Sequence, residues 1–271
     1  MSCTNAGLEL QVPLEAMFSL LRNFSHDEEI DAEKILLHWM AEGMISSEMQ
    51  GTEETLRDVA QRYLSELASR CMLQVKVVEY PSLHKRFESC RLHDLMRDLG
   101  LTKAKEEGFF GEHGFLFSKR LPLSTIKTRR LAIHFQGDVG DDFNGIEKLA
   151  NLHCLYLNKL KYHEVCDIGY CYLVSNLEKF KSLRVLIFVS CDLRDGIIPS
   201  DIGYKLIHLR YFGFRDCLLD ELPLLSTNFP CLQTLELEVY NSGSDMKIPN
   251  VLYKMRQLKP LFLQYVESYE E

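Results

Sequence analysis

No stretch of 18 or more apolar residues occurs in this chain of 271, so nothing in it is fitted to span a membrane. Equally absent is the Gly-x-x-x-x-Gly-Lys-[Ser/Thr] pattern, whose amides and lysine cradle a triphosphate, and no acidic metal-binding strand accompanies it. The chain alone is therefore expected neither to hydrolyse a nucleoside triphosphate nor to hold a nucleotide tightly. A basic stripe is also missing. Lys+Arg number 31 against 39 Asp+Glu, for a net charge of −8, which disfavours a nucleic-acid platform. The nine cysteines are odd in number and lack framework spacing, which fits thiols in a reducing interior. Cys166 and Cys171 have no second ligand pair, so no zinc site is expected. No basic residue precedes Arg22, and Glu9, Gln11, Pro13 and Glu15 interrupt the apolar stretch before it, so no secretory signal is read and a cytoplasmic location is expected. Serine, histidine and aspartate are plentiful but form no nucleophile elbow or Cys-His arrangement, so no enzymatic activity is expected.

What is present begins with helices. Pro13 suits a first helical turn, and Leu14, Met17, Phe18 and Leu21 give that segment a buried stripe. Asp31 is placed to cap a second helix, with Ala32, Ile35, Leu36, Trp39 and Met40 on its apolar face and Gly43 ending it. Trp39, the one tryptophan, reads as a core anchor. A third helix follows Gly51-Thr52, its buried stripe running from Leu56 through Val59, Ala60, Tyr63, Leu64, Leu67 and Ala68 to Cys71. The period then switches to two. Leu73, Val75 and Val77 form one strand, Pro81 to Arg86 a turn, and Phe87 to Leu92 the returning strand. Three helices and a hairpin make a winged-helix plan. The helices carry Glu33, Glu42, Glu53, Glu54, Asp58 and Glu66, which would repel a phosphate backbone. At the exit of the hairpin stands Leu92-His93-Asp94, where Asp94 can cap the next helix and backbone amides can meet an imidazole; by itself the pair reads as a cap and a strand-end residue.

The second half repeats itself. Leu183-x-x-Leu186-x-Phe188-x-x-Cys191-x-Leu193 is matched by Leu209-x-x-Phe212-x-Phe214-x-x-Cys217-x-Leu219, with weaker copies from Leu152, Leu232 and Leu258 and a partial one from Leu131. Starts at 131, 152, 183, 209, 232 and 258 lie 21, 31, 26, 23 and 26 residues apart, the spacing of leucine-rich repeats apart from one inserted loop. Each repeat needs its neighbours to bury its leucines, so a short solenoid is expected. Cys191 and Cys217 stand where such repeats satisfy loop backbone groups. Between the leucines, Arg184, Val185, Ile187, Arg210, Tyr211, Gly213, Arg215, Gln233, Thr234, Glu236 and Glu238 point outward. Of these, Arg184, Ile187, Arg210, Tyr211, Arg215, Glu236 and Glu238 are the candidate protein-binding face. Pro260, inside the last motif, is expected to break ladder pairing and blunt the edge.

The segments Glu29-Ile30-Asp31-Ala32-Glu33-Lys34-Ile35-Leu36-Leu37-His38-Trp39-Met40-Ala41-Glu42-Gly43 and Gly51-Thr52-Glu53-Glu54-Thr55-Leu56-Arg57-Asp58-Val59-Ala60, in this order before the repeats, carry a family resemblance. From about Pro13 onward the chain resembles plant disease-resistance proteins of the coiled-coil, nucleotide-binding, leucine-rich-repeat class, in the branch of the late blight resistance homologues. The resemblance implies an N-terminal remnant at 1–12, a winged-helix domain at 13–108, a linker at 109–128 and leucine-rich repeats at 129–271. The fold class is α+β for the first part and an α/β solenoid for the second.

By the same resemblance, Leu92-His93-Asp94 corresponds to the family's methionine-histidine-aspartate motif, with His93 as the contact to the β-phosphate of ADP and Asp94 orienting its turn. Leu92 replaces the methionine, and Ser25 after Phe24 replaces a proline of an upstream loop. ADP or ATP is expected only alongside a complete nucleotide-binding domain: one histidine contact supplies roughly 1.5 to 3 kcal/mol where a micromolar site needs ~8 kcal/mol. The implied function is an immune-receptor fragment, the lid of an ADP/ATP switch joined to a recognition and autoinhibition surface. Its partners would be a pathogen effector, a guarded host protein, or a nucleotide-binding domain in trans. The alternative is a repeat adaptor with no nucleotide role.

Overall fold

The structure is a computed structural model that describes residues 29–78, 86–92, 115–117, 129–135, 149, 151–159, 168–194, 198–219, 229–241, 252, 255–258 and 261–267. The expected first helix at Pro13 and the turn at Pro81 lie outside the described residues. The chain divides into two compact units, Met1–Phe109 and Phe110–Glu271.

In the first unit a short strand, β1 (Ile30–Asp31), leads directly into helix α1 (Ala32–Glu42). Asp31 caps it by accepting the Glu33 and Lys34 amides at 2.7 and 3.3 Å, satisfying donors that a helix N-terminus otherwise leaves open. Gly43 ends it in the left-handed region, φ 84°, where a side chain would be strained. Helix α2 (Leu56–Ser69) begins at Leu56, the first residue of its apolar stripe, where Thr55 and Asp58 form a reciprocal capping box. It stops before Cys71, which is exposed at φ 56° and so leaves the expected buried stripe. Arg57 Nε donates to Glu33 Oε1 at 2.9 Å and ties the two helices at their polar edge.

Strands β2 (Leu73–Val78) and β3 (Arg86–Leu92) pair antiparallel, and β1 adds on the other side of β3 to give the order β1-β3-β2. A register shift between Lys76 and Val77 turns Val77 outward, to 42% exposure, where strict alternation places it inward. Trp39, with no exposed surface, sits in a core with Leu36, Val59, Leu64, Leu67, Leu73 and Cys90.

The second unit holds a seven-stranded parallel sheet in strict chain order, from β4 (Phe115–Phe117) through β5 (Arg130–Phe135), β6 (Cys154–Lys159), β7 (Val185–Val189), β8 (Tyr211–Leu218) and β9 (Thr234–Asn241) to β10 (Leu261–Glu267). Helix α3 (Ile168–Ser175) lies between β6 and β7, and α4 (Ile202–Lys205) between β7 and β8. Register aligns Leu131, Leu155, Leu186, Phe212 and Leu235 in one inward ladder and Ile133, Leu157, Phe188, Phe214 and Leu237 in the next. All ten are buried, and the Phe188 and Phe214 rings stack at 5.6 Å. Before each of five strands the same turn recurs: Leu152, Leu183, Leu209, Leu232 and Leu258 donate their amides to the carbonyls of Leu149, Phe180, Leu206, Phe229 and Met255.

Three expectations change here. Strand β4 falls inside the stretch read as linker; three residues are too few for alternation to register. Leu131 aligns with Leu155 rather than Leu152, so successive ladder positions 131, 155, 186, 212, 235 and 261 are 24, 31, 26, 23 and 26 residues apart. Pro260 lies outside the described residues, and β10 starts at Leu261 and pairs with β9 over its whole length, so the last ladder is not broken. Replacing Trp39 by Ala is expected to destabilise the first unit by about 3–5 kcal/mol, read as a lowered urea midpoint in its circular-dichroism transition.

Candidate functional site

Two places follow from the fold: the exit of β3 and the face of the parallel sheet turned away from the leucine ladders. Strand β3 is central among its three, with Cys90 paired to Ile30 on one side and Val75 on the other, and Leu92 facing Leu73. Burial, then the nearby Asp31 carboxylate, push the Cys90 thiol up to about 12, so it packs and does not react. The chain thus leaves β3 from a strand held on both edges. His93 and Asp94, which follow it, lie outside the described residues.

On the sheet, register brings Ala132, Tyr156, Ile187, Gly213 and Glu236 into one row across the face opposite the ladders. Tyr211 and Arg215 flank Gly213 on the same side of β8. The Tyr211 hydroxyl donates to Glu236 Oε2 at 2.6 Å, and Arg215 Nε donates to Glu236 Oε1 at 2.9 Å. Gly213 makes this possible: a Cβ there would stand 3.1 Å from Glu236 Oε2, 3.1 Å from Ile187 Cγ1 and 3.3 Å from Tyr211 Cε1. Burial acts to lower the Arg215 pKa, but Glu236, Tyr211 and Tyr156 together outweigh it and raise it, keeping the guanidinium charged. Burial and the same carboxylate push the Tyr211 phenol well up, so it stays a donor.

The expected open surface is corrected at these positions. Val185, Ile187, Tyr211, Arg215, Thr234 and Glu236 are buried, none above 7% exposed, whereas Arg184, Arg210, Gln233 and Glu238 are half-buried. Alternation decides which face a side chain takes; whether that face meets solvent depends on what lies over it.

A further row stands where the strands begin. Residues 129, 153, 184 and 210 each use one carbonyl to accept two amides of the next repeat: Arg129 from His153 and Cys154, His153 from Arg184 and Val185, Arg184 from Arg210 and Tyr211, Arg210 from Gln233 and Thr234. Burial, followed by the charges of Arg184, Arg129 and Arg130, lowers the His153 pKa from 6.5 to about 4. Arg129 and His153 were missed in the sequence, although each stands two residues before a ladder residue, as Arg184 and Arg210 do.

Cys191 Sγ donates to the Val189 and Leu157 carbonyls at 3.2 and 3.5 Å, and Cys217 Sγ to the Arg215 and Phe188 carbonyls at 3.3 and 3.5 Å. The two thiols repeat one geometry one rung apart and satisfy backbone acceptors. Each follows a residue in the left-handed region, Ser190 and Asp216, both at φ 51°. Cys171 is disulfide-bonded, which corrects the expectation of thiols throughout; pairing depends on separation in space, which sequence spacing does not report. Among the described residues no cluster of three or more His, Cys, Asp or Glu could hold a metal ion. No described helix is long and apolar enough to cross a membrane.

Residues 24–100 match the model of the disease resistance protein winged helix domain, the class of domain that the two helices and three strands already outline. The chain is also 35% identical to the probable disease resistance protein RXW24L of Arabidopsis thaliana over 259 residues, 94% of this chain and 27% of that protein. It is 34% identical to the probable disease resistance protein RF9 of the same plant over 257 residues, 94% of this chain and 24% of that protein. The chain therefore carries the winged-helix domain of disease resistance proteins and is homologous to plant disease resistance proteins over most of its length. It spans about a quarter of the length of the curated relatives it matches.

Glu236→Gln is expected to cost about 3–5 kcal/mol in thermal or urea unfolding, because it leaves the Arg215 charge buried without its anion. His153, held neutral in the folded state, takes up a proton on unfolding between pH 6.5 and about 4, so stability falls as pH drops through that window. Urea midpoints measured at pH 7 and pH 4.5 should show a component of that loss that disappears in His153→Asn.

Proposed function

We propose that this chain is the winged-helix lid and leucine-rich-repeat part of a cytoplasmic plant immune receptor, acting as half of a nucleotide-controlled switch and not as an enzyme. The reading is supported by one juxtaposition: the winged-helix match includes Leu92-His93-Asp94 at the exit of a central strand, and the parallel sheet of in-register repeats follows in the same chain. In this reading the sheet is a short solenoid, and its repeats provide recognition and autoinhibition. ADP supplies a β-phosphate anion; His93 donates a hydrogen bond to it and Asp94 holds the turn. Exchange for ATP removes the differential contact that keeps the lid closed, and a bound effector or guarded host protein shifts the same equilibrium.

The chain lacks a phosphate loop, so its own share of nucleotide affinity is that single contact. Calorimetry with ADP should give no heat for this chain alone. With a phosphate-loop domain from a relative joined ahead of it, ADP should bind, and His93→Ala should weaken binding about tenfold or more, the loss of roughly 1.5 to 3 kcal/mol. Unchanged affinity in that variant would overturn the role given to His93.

A further inference from the structure

We infer that the row of residues at the strand entries is a docking surface for a short acidic segment of a partner protein. Arg129, His153, Arg184, Arg210 and Gln233 precede residues that register places side by side, Arg130, Cys154, Val185, Tyr211 and Thr234. Adjacent parallel strands lie about 4.8 Å apart, so Arg129 to Arg210 spans about 14 Å. The spacing is rigid, because every carbonyl from Arg129 to Arg210 is engaged by two amides of the following repeat. Arg129 is exposed, and Arg184 and Arg210 are half-buried, their guanidinium groups carried on a backbone that cannot shift independently.

The row is basic in a chain whose net charge is −8. His153 lies between two of its arginines; burial first, and then their charges, hold its imidazole neutral. Two positions earlier in each repeat stand Asn151, Ser182, His208 and Cys231, so no carboxylate lies along that parallel line either. Arginine forks at fixed intervals match carboxylates by paired hydrogen bonds. The occupant is a short acidic peptide and not a nucleic acid. A polyanion long enough to pass beyond the row meets the surplus negative charge of the remaining surface, whereas a segment confined to it lies within one Debye length, about 8 Å, of the arginines. This surface has no part in the nucleotide reading, so either can fail without the other.

The test uses the full chain and a fluorescein-labelled ten-residue peptide of alternating Glu and Gly, followed by fluorescence anisotropy at low salt. Binding is expected, with affinity falling steeply as salt is raised. Reversal of Arg129 and Arg210 together to Glu should weaken it about tenfold or more, while Lys at both positions retains most of it. If the reversed chain does not fold by circular dichroism, Gln at both positions gives the same comparison without repulsion. Three results would overturn the proposal: no binding to the unaltered chain, equal affinity after the charges are removed, or equal affinity for a 20-nucleotide single-stranded DNA.

Discussion

Everything in the second unit depends on apolar side chains of one repeat finding those of the next. A single strand such as Val185–Val189 cannot bury Leu186 and Phe188 by itself; it does so against Leu155 and Leu157 on one side and Phe212 and Phe214 on the other. That mutual dependence is why parallel pairing, intrinsically slow to form because its partners are distant in sequence, is held here over six consecutive junctions, with a single register shift in β8 between Phe214 and Cys217 that falls beyond both ladders. A one-residue slip would send both ladders to the opposite face. The recurring turn before β6 to β10 and the paired acceptance by the carbonyls at 129, 153, 184 and 210 reinforce the same register from the backbone.

The opposite face is held by a different kind of force. Glu236 spans the space left by Gly213 and binds both Tyr211 and Arg215, so a buried carboxylate, a phenol and a guanidinium satisfy one another where no solvent reaches. Such a cluster stabilises little relative to an apolar filling, but it tolerates no missing member. The arginines at the strand entries, by contrast, keep part of their surface in water. The first unit shows the corresponding economy in small form: Asp31 caps α1 from the end of β1, and the same short strand fixes one edge of β3.

Much of this was legible beforehand. The helix from Ala32 to Gly43 announces its cap, stripe and stop in order, and the strand pair around Leu73 and Leu92 shows its period of two. The repeats were visible because leucine spacing survives even where other residues vary. What escaped had physical causes. Strand β4 is too short to carry a pattern. The register shift at Val77 and the phase of Leu131 are set by hydrogen bonds to a neighbour and not by the segment itself. The Thr55 cap and its answering Asp58 also went unread in the sequence, because the reciprocal bonds form only once the helix turn brings the two together. Tyr211, Arg215 and Glu236 looked like surface residues because polar side chains at outward positions usually are; 21 residues separate Arg215 from Glu236, and only the sheet brings them to 2.9 Å.

Local chemistry in the sequence was enough to determine most of the described elements: the helices that open at Ala32 and Leu56, the strand pair around Leu73 and Leu92, the repeating strands from Leu131 onward, and which face of each carries the apolar ladder. Side-chain spacing of 3.6 or 2 and the preferences of Asp, Thr and Gly act within a few residues, so they are written along the chain. The tertiary structure alone decided register, which outward positions meet water, and which charges become neighbours. Those are properties of strands about 4.8 Å apart in space and some 23 to 31 residues apart in sequence, and no local preference can encode them.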